Sequence, residues 1–418
     1  MHSKKIKKMF NDNSWDEEND DDLTKEAVER FEAMIESRGT AYFDTEEFEL
    51  IIDYYLQQNN LERSREAVDL ALAQHPDDIE IRIKNGYYLA TTGQHQEALD
   101  IYMKAMEDLD EDDRGDMYHA IGYEYFCLGD IEKAIEYYQM AIDDNPQNAE
   151  VWSSLGDLYR QQNQLEEAIE MYEYVLAIDP THLWANMHLA NSYYDLDRFQ
   201  EAIDSLNEAL AHGVDTAMLH ASLGDCHYRM GHYIDAKNEY TKALDINNYL
   251  TDAWSGLGYV YSDAGDSSKA IRYFEKAYEL EPFNDDHLYN LAAEYRKIDE
   301  LQKALDYLLE IEKRQPNDPD LYFFLGDLLA DMDRMDEALC YLQVGLQRTN
   351  NDPTLLYLLC YLHLERGEKQ QALAYLEMAL DGNPDYYKEF IEYNPELITN
   401  DVEVMEMIEK KTEDRRQK

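Results

Sequence analysis

Apolar positions along the chain fall into short runs with helical spacing. Trp152, Leu155 and Tyr159 stand three and four residues apart, and Ala168, Tyr172 and Leu176 follow at intervals of four. Each set lines one face of a helix, so this stretch predicts two short antiparallel helices joined by a turn. The same signal then repeats. An alanine that follows an acidic or polar pair and precedes an amphipathic stretch occurs at Ala98, Ala134, Ala168, Ala202, Ala236, Ala270, Ala304, Ala338 and Ala372. From Ala134 onward the step is 34 residues; Ala98 to Ala134 is 36, and Ser64 stands 34 before Ala98 in the same slot. The period predicts ten units filling 45–386, with a two-residue insertion near Asp110–Asp112.

Other slots of the unit are as regular. Gly86, Gly122, Gly156, Gly224, Gly258 and Gly326 share one slot, filled elsewhere by Ile52, Ala190, Ala292 and Cys360. A glycine inside a helix costs about 0.5–1 kcal/mol against alanine, so its recurrence predicts close approach of the paired helix. Pro76, Pro146, Pro180, Pro282, Pro316 and Pro384 fall in the turn between units, whereas Pro319 and Pro353 open the next unit, where proline is tolerated.

The repeat at 149–182 reads Trp152, Leu155, Gly156, Tyr159, Ala168, Tyr172, Pro180; that at 251–284 reads Trp254, Leu257, Gly258, Tyr261, Ala270, Phe274, Ala277, Pro282. These follow the pattern W-x2-L-G-x2-Y…A-x3-F…P, so the chain resembles the tetratricopeptide repeat family over 45–386. The resemblance implies an all-α, right-handed superhelical solenoid of tandem antiparallel helix pairs, each too small to bury its apolar face without neighbours. It also implies a concave groove lined by the second, fifth, ninth, twelfth and thirteenth residues of each first helix.

That register selects Glu150, Ser153, Asp157, Arg160 and Gln161 in one unit and Trp184, Met187, Asn191, Tyr194 and Asp195 in the next. Met218, Ala221, Asp225, Tyr228 and Arg229 follow, then Asp252, Ser255, Tyr259, Ser262 and Asp263, then Asp286, Tyr289, Ala293, Arg296 and Lys297. Aromatics recur on this face, at Tyr87, Tyr123, Trp184, Tyr194, Tyr228, Tyr259, Tyr289, Phe323, Tyr357 and Tyr361. They read either as interface anchors or as residues packed between neighbouring units. Arg160, Arg229, Arg296 and Lys297 read either as a ladder for a partner's carboxylates or as partners of the chain's own Asp157, Asp195, Asp225 and Asp263. Of all these, Tyr123, Asp157, Arg160, Trp184, Asn191, Tyr194, Asp225, Tyr228, Arg229, Tyr259, Tyr289, Arg296 and Lys297 are the candidate partner contacts. The lysine and asparagine combination that family members use to clamp a chaperone's terminal carboxylate is not met.

Outside the repeats, 1–22 reads as a disordered acidic tail, since Asp12–Asp22 holds seven acids and no patterned apolar residue. Residues 23–44 read as an N-terminal capping helix over Leu23–Ser37, stopped at Gly39, and 387–418 as a C-terminal cap with a basic tail; Tyr386–Tyr393, interrupted by Pro395, and then Asp401–Lys411 read as a capping helix or two. Neither flank is long enough for a catalytic domain.

Charge narrows the partners. The chain carries 37 basic against 90 acidic residues, a formal charge of −53, which repels nucleic acid and anionic membrane surfaces and favours a basic protein or peptide. No run of 18 apolar residues occurs, no secretory signal is expected from the N-terminal lysines, and the four scattered cysteines suit the cytoplasm. Cys340 and Cys360 read as buried packing residues. No phosphate loop is present, and Gly256 and Gly258 lie within a helix. His220 and His227, seven apart with Cys226 between, are about 10 Å apart along a helix and occupy core slots, so no metal and no cofactor is expected. These features together predict a non-enzymatic scaffold, monomeric, that binds a protein or peptide in its groove. Alternatives are a self-assembling structural array, in which the chain forms homo-oligomers, and a regulatory or chaperone-like adaptor without the carboxylate clamp.

Overall fold

The structure is a computed structural model that describes residues 17–109, 114–314 and 317–416. Among the described residues it is all helix and turn, without a strand. Ten helix pairs occupy the span that the period predicts. Repeats 1 to 5 are Thr45–Gln57 with Leu61–Gln74, Ile79–Thr91 with His95–Asp108, Gly115–Cys127 with Ile131–Asp144, Ala149–Gln161 with Leu165–Ile178, and Leu183–Asp195 with Phe199–Ala211. Repeats 6 to 10 are Ala217–Arg229 with Tyr233–Ile246, Thr251–Asp263 with Ser267–Leu280, Asp285–Lys297 with Leu301–Arg314, Pro319–Asp331 with Met335–Arg348, and Pro353–Glu365 with Lys369–Gly382. The contacts divide the chain between Val214 and Asp215 into two compact bodies, the first holding repeats 1 to 5 and the second repeats 6 to 10.

The marker alanines are core residues: Ala98, Ala134, Ala168, Ala202, Ala236, Ala270, Ala304, Ala338 and Ala372 are all fully buried, as is Ser64 in the same slot. The glycine slot is explained by its neighbour on the second helix. A Cβ on Gly86, Gly122, Gly156, Gly224 or Gly258 would come within 2.5–2.8 Å of the ring of Tyr102, Tyr138, Tyr172, Tyr240 or Phe274. Where the slot holds Ala190, Ala292 or Cys360, the facing residue is Leu206, Leu308 or Leu376. Repeats 2, 3, 4, 6 and 7 thus set glycine against a ring and repeats 5, 8 and 10 a larger residue against leucine, whereas repeat 9 sets Gly326 against Leu342.

Every turn within a pair is closed by a residue with positive φ, and it always falls in the same slot: Asn59, Gly93, Gly129, Asn163, Asp197, Gly231, Gly265, Asp299, Asp333 and Gly367. Only glycine, asparagine and aspartate occur there, the residues that enter the left-handed region most readily. In repeat 1 the amide of Asn60 then reaches the carbonyl of Tyr55 at 2.8 Å and closes the helix end. Asp44, Asp78, Asn148, Asn284, Asp318 and Asp352 cap the first helices of their repeats through side-chain oxygens. Pro319 and Pro353 take the first helical position, as expected.

Two details differ from the sequence reading. The N-terminal helix runs Glu17–Ser37 and so begins six residues before Leu23; a cluster of acids is favourable in a first helical turn, which extends the helix into the stretch read as tail. The rest of that tail, 1–16, the insertion at 110–113 and Pro316 lie outside the described residues. Cys340 is exposed, whereas Cys360 is buried. At the C-terminus, Tyr387–Tyr393 and Pro395–Thr399 are two short helices split at Asn394 and Pro395, followed by Val402–Arg416. Phe390, Ile398, Val404 and Ile408 join the buried core of the second body.

Candidate functional site

The candidate residues all lie on first helices, where their exposure varies. In the first body, Tyr87, Tyr123 and Trp184 are exposed. The Tyr123 ring lies 6.4 Å from that of Phe126, and Cys127 beneath it is half-buried, its thiol pushed up by burial, so it is no activated nucleophile. Trp184 stacks on His188 with ring centres 6.2 Å apart. His188 in turn lies 5.6 Å from the Tyr172 ring. The Tyr172 hydroxyl donates to Asp157 at 2.6 Å, and Arg160 reaches the same tyrosine. Asn191 is half-buried, and Tyr194 meets Phe199 edge-on at 5.3 Å. Ser153, Met187 and Ala221, the fifth residues of their helices, are buried and serve packing.

In the second body the aromatics form a band. Tyr228 and Tyr259 are 6.2 Å apart, and the Tyr228 hydroxyl donates to Asp263 at 2.9 Å. The Asn290 amide donates to the Tyr259 hydroxyl at 2.8 Å. Tyr289 lies 5.5 Å from Phe324, and its hydroxyl donates to Asp318 at 2.5 Å. Phe324 meets Phe323 at 6.1 Å, and Phe323 meets Tyr393 of the C-terminal segment at 6.3 Å. Asp225 accepts from the Tyr240 hydroxyl at 2.6 Å, and burial pushes its carboxyl up to about 6.

The cations on this face are engaged. Arg296 bonds Asp327 at 2.7 Å and Asp331 at 2.6 Å. Lys297 bonds Glu294 at 2.6 Å and the Ser262 hydroxyl at 2.7 Å. Their partners are acids of the neighbouring repeat and of their own helix, rather than the four aspartates the sequence suggested. Arg229 is exposed at the end of its helix.

At the far end the chain covers its own face. Tyr357, expected as a surplus aromatic, is 1% exposed: its ring lies 5.1 Å from Phe390 and 5.3 Å from Tyr386. Tyr393 packs edge-on against Tyr361 at 4.8 Å, its hydroxyl donates to Asp327, and Asn394 donates to the Tyr361 hydroxyl at 3.4 Å. A small aromatic-lined cleft of about 20 Å³ remains between this segment and Phe323, Tyr357 and Tyr361. Sequence spacing missed the coverage because it assigned 387–418 to a cap beyond the repeats; the aromatic triplet Tyr386, Phe390 and Tyr393 was its signal.

Tetratricopeptide repeat models match residues 50–114, 119–182 and 289–353, with further matches at 159–226, 219–249 and 251–284. The chain belongs to the tetratricopeptide repeat family. Photosystem I assembly protein Ycf3 of Rippkaea orientalis (strain PCC 8801 / RF-1) is 32% identical over 77 residues, 18% of this chain and 44% of that protein. The chain therefore spans less than half the length of that relative. Among solved structures, the MamA protein is 29% identical with a TM-score of 0.37, covering 40% of this chain and 92% of its own. YrrB, described as a TPR protein with an unusual peptide-binding site, is 25% identical with a TM-score of 0.35, covering 43% and 93%. Membership in the tetratricopeptide repeat family points to a protein-interaction scaffold, and proteins of this kind are in general non-catalytic. No helix among the described residues is long and apolar enough to cross a membrane.

Proposed function

We propose that this tetratricopeptide repeat protein is a cytoplasmic, non-catalytic scaffold that holds a protein segment along its first-helix face. Supporting this reading most directly is the aromatic band from Tyr228 through Tyr259 and Tyr289 to Phe324. All four rings are partly solvent-accessible and the hydroxyls of Tyr228, Tyr259 and Tyr289 are each held by a neighbour, so contact area is offered with little side-chain freedom left to lose. The chain's own Tyr393 is received at the end of the band by edge-on ring contacts and by a carboxylate, which supports the view that the band accepts aromatic side chains. A formal charge of −53 favours a guest with basic flanks.

The test compares three baits in native-cell extract: wild type, Tyr228→Ala with Tyr259→Ala, and Tyr249→Ala, whose ring is 73% exposed in a turn away from the band. Wild type and the Tyr249 variant retain the same partners, and the double variant loses them with an unchanged helical signal in circular dichroism. An identical set recovered by all three baits refutes the site.

A further inference from the structure

Repeat 6 differs from repeats 3, 7 and 8 at three linked slots. In repeats 3, 7 and 8 the first helix ends in a tyrosine, Tyr125, Tyr261 or Tyr295. The ammonium of Lys133, Lys269 or Lys303 sits 4.8, 4.8 or 5.1 Å over that ring. A second tyrosine, Tyr137, Tyr273 or Tyr307, stacks on it. In repeat 6 all three slots change: His227 replaces the ring, Asp235 the lysine and Glu239 the stacking tyrosine. Glu239 is drawn away, to His220 at 2.6 Å and Lys242 at 2.8 Å.

The histidine pairing weighed from the sequence is not the one the fold makes. His220 is held by Glu239 and by Asp215 at 3.0 Å. His227 instead faces His232 across the turn, with ring centres 6.0 Å apart. One ligand atom from each of His227, His232 and Asp235 lies within 4.8 Å of the other two, and among the described residues no other group of three such side chains converges this closely. Nδ1 of His227 is buried without a hydrogen-bond partner, a state shared with one ring nitrogen each of His188, His287 and His363. His232 stands at the N-cap of the second helix, is exposed and makes no side-chain cap bond.

We propose that His227, His232 and Asp235 bind one divalent ion of the zinc and nickel class, leaving a coordination position open. Two imidazole nitrogens and one carboxylate oxygen suit such an ion, whereas magnesium and calcium want oxygen donors throughout. Metal bonds of roughly 2.0–2.1 Å place tetrahedral donors about 3.4 Å apart. His232 and Asp235 are both exposed, so side-chain rotation closes the difference without moving the helices. The ion would tie the end of one helix to the first turn of the next, where repeats 3, 7 and 8 use a tyrosine and a lysine. The surrounding acidic field concentrates cations at the site.

Isothermal titration of the tag-free full chain with zinc chloride tests this. One ion per chain binds with micromolar affinity, and magnesium chloride at the same concentration gives no saturable heat. His232→Ala weakens zinc binding by about tenfold or more, the scale of effects at metal-site residues. His227→Tyr combined with Asp235→Lys installs the tyrosine and lysine of repeats 3, 7 and 8, keeps the metal-free melting temperature near wild type and abolishes the zinc isotherm. Absence of zinc binding by wild type, or zinc binding unchanged in stoichiometry and affinity in His232→Ala, overturns the assignment. Should the double exchange fail to fold, His232→Ala alone decides, because that side chain is exposed.

Discussion

At the scale of single residues, the carboxylates of the first-helix face have an intramolecular use. Asp157 and Asp225 stand in the ninth position of their helices and receive the hydroxyls of Tyr172 and Tyr240, which reach past the glycine slot from the paired helix. In repeat 9 the corresponding residue is Leu342, and Tyr393 of the C-terminal segment supplies the hydroxyl to Asp327 instead. These positions were legible in the sequence as a face but not as acceptors, because a separation of fifteen residues across a turn carries no local signal. Asp225 makes a prediction with a definite sign. Its folded pKa of about 6 lies above the ordinary carboxylate value, so the folded state holds the proton more tightly. Its contribution to stability is therefore greatest at low pH and falls as pH rises through 6. Asp225→Asn stabilises the protein by about 1–2 kcal/mol near pH 8, and the gain disappears near pH 4.5. Thermal melts of the two proteins at both pH values check this.

At the scale of helices, the rule relating the glycine slot to the facing side chain is testable. Gly258→Ala drives a methyl against Phe274 and costs about 1–3 kcal/mol. Phe274→Leu in that background reproduces the alanine and leucine pairing of repeats 5 and 8 and recovers part of the loss, as urea unfolding would show. Helix positions were legible because ten copies of one pattern average out local ambiguity. The left-handed slot at Asn59, Gly93, Asn163 and their equivalents was equally present but went unread, since only half of its members are glycine. The helix over residues 17–22 was not legible: acids without patterned apolar neighbours carry the same signal in a solvated tail and in a first helical turn.

At the scale of the chain, each repeat leans on its neighbours, so damage at one end should remain local. Phe390→Ala removes the ring that covers Tyr357. Amide exchange should then accelerate in 387–416 and in the first helix of repeat 10, while repeats 1 to 5 exchange at the wild-type rate. The period showed how many repeats to expect, but it could not show that the last pair of them is covered by the segment that follows. That covering makes the second body's aromatic band a cul-de-sac. On the proposed reading, a guest laid along the band would run out of free surface where Tyr393 occupies Tyr361 and Asp327, which bounds the length it can dock there.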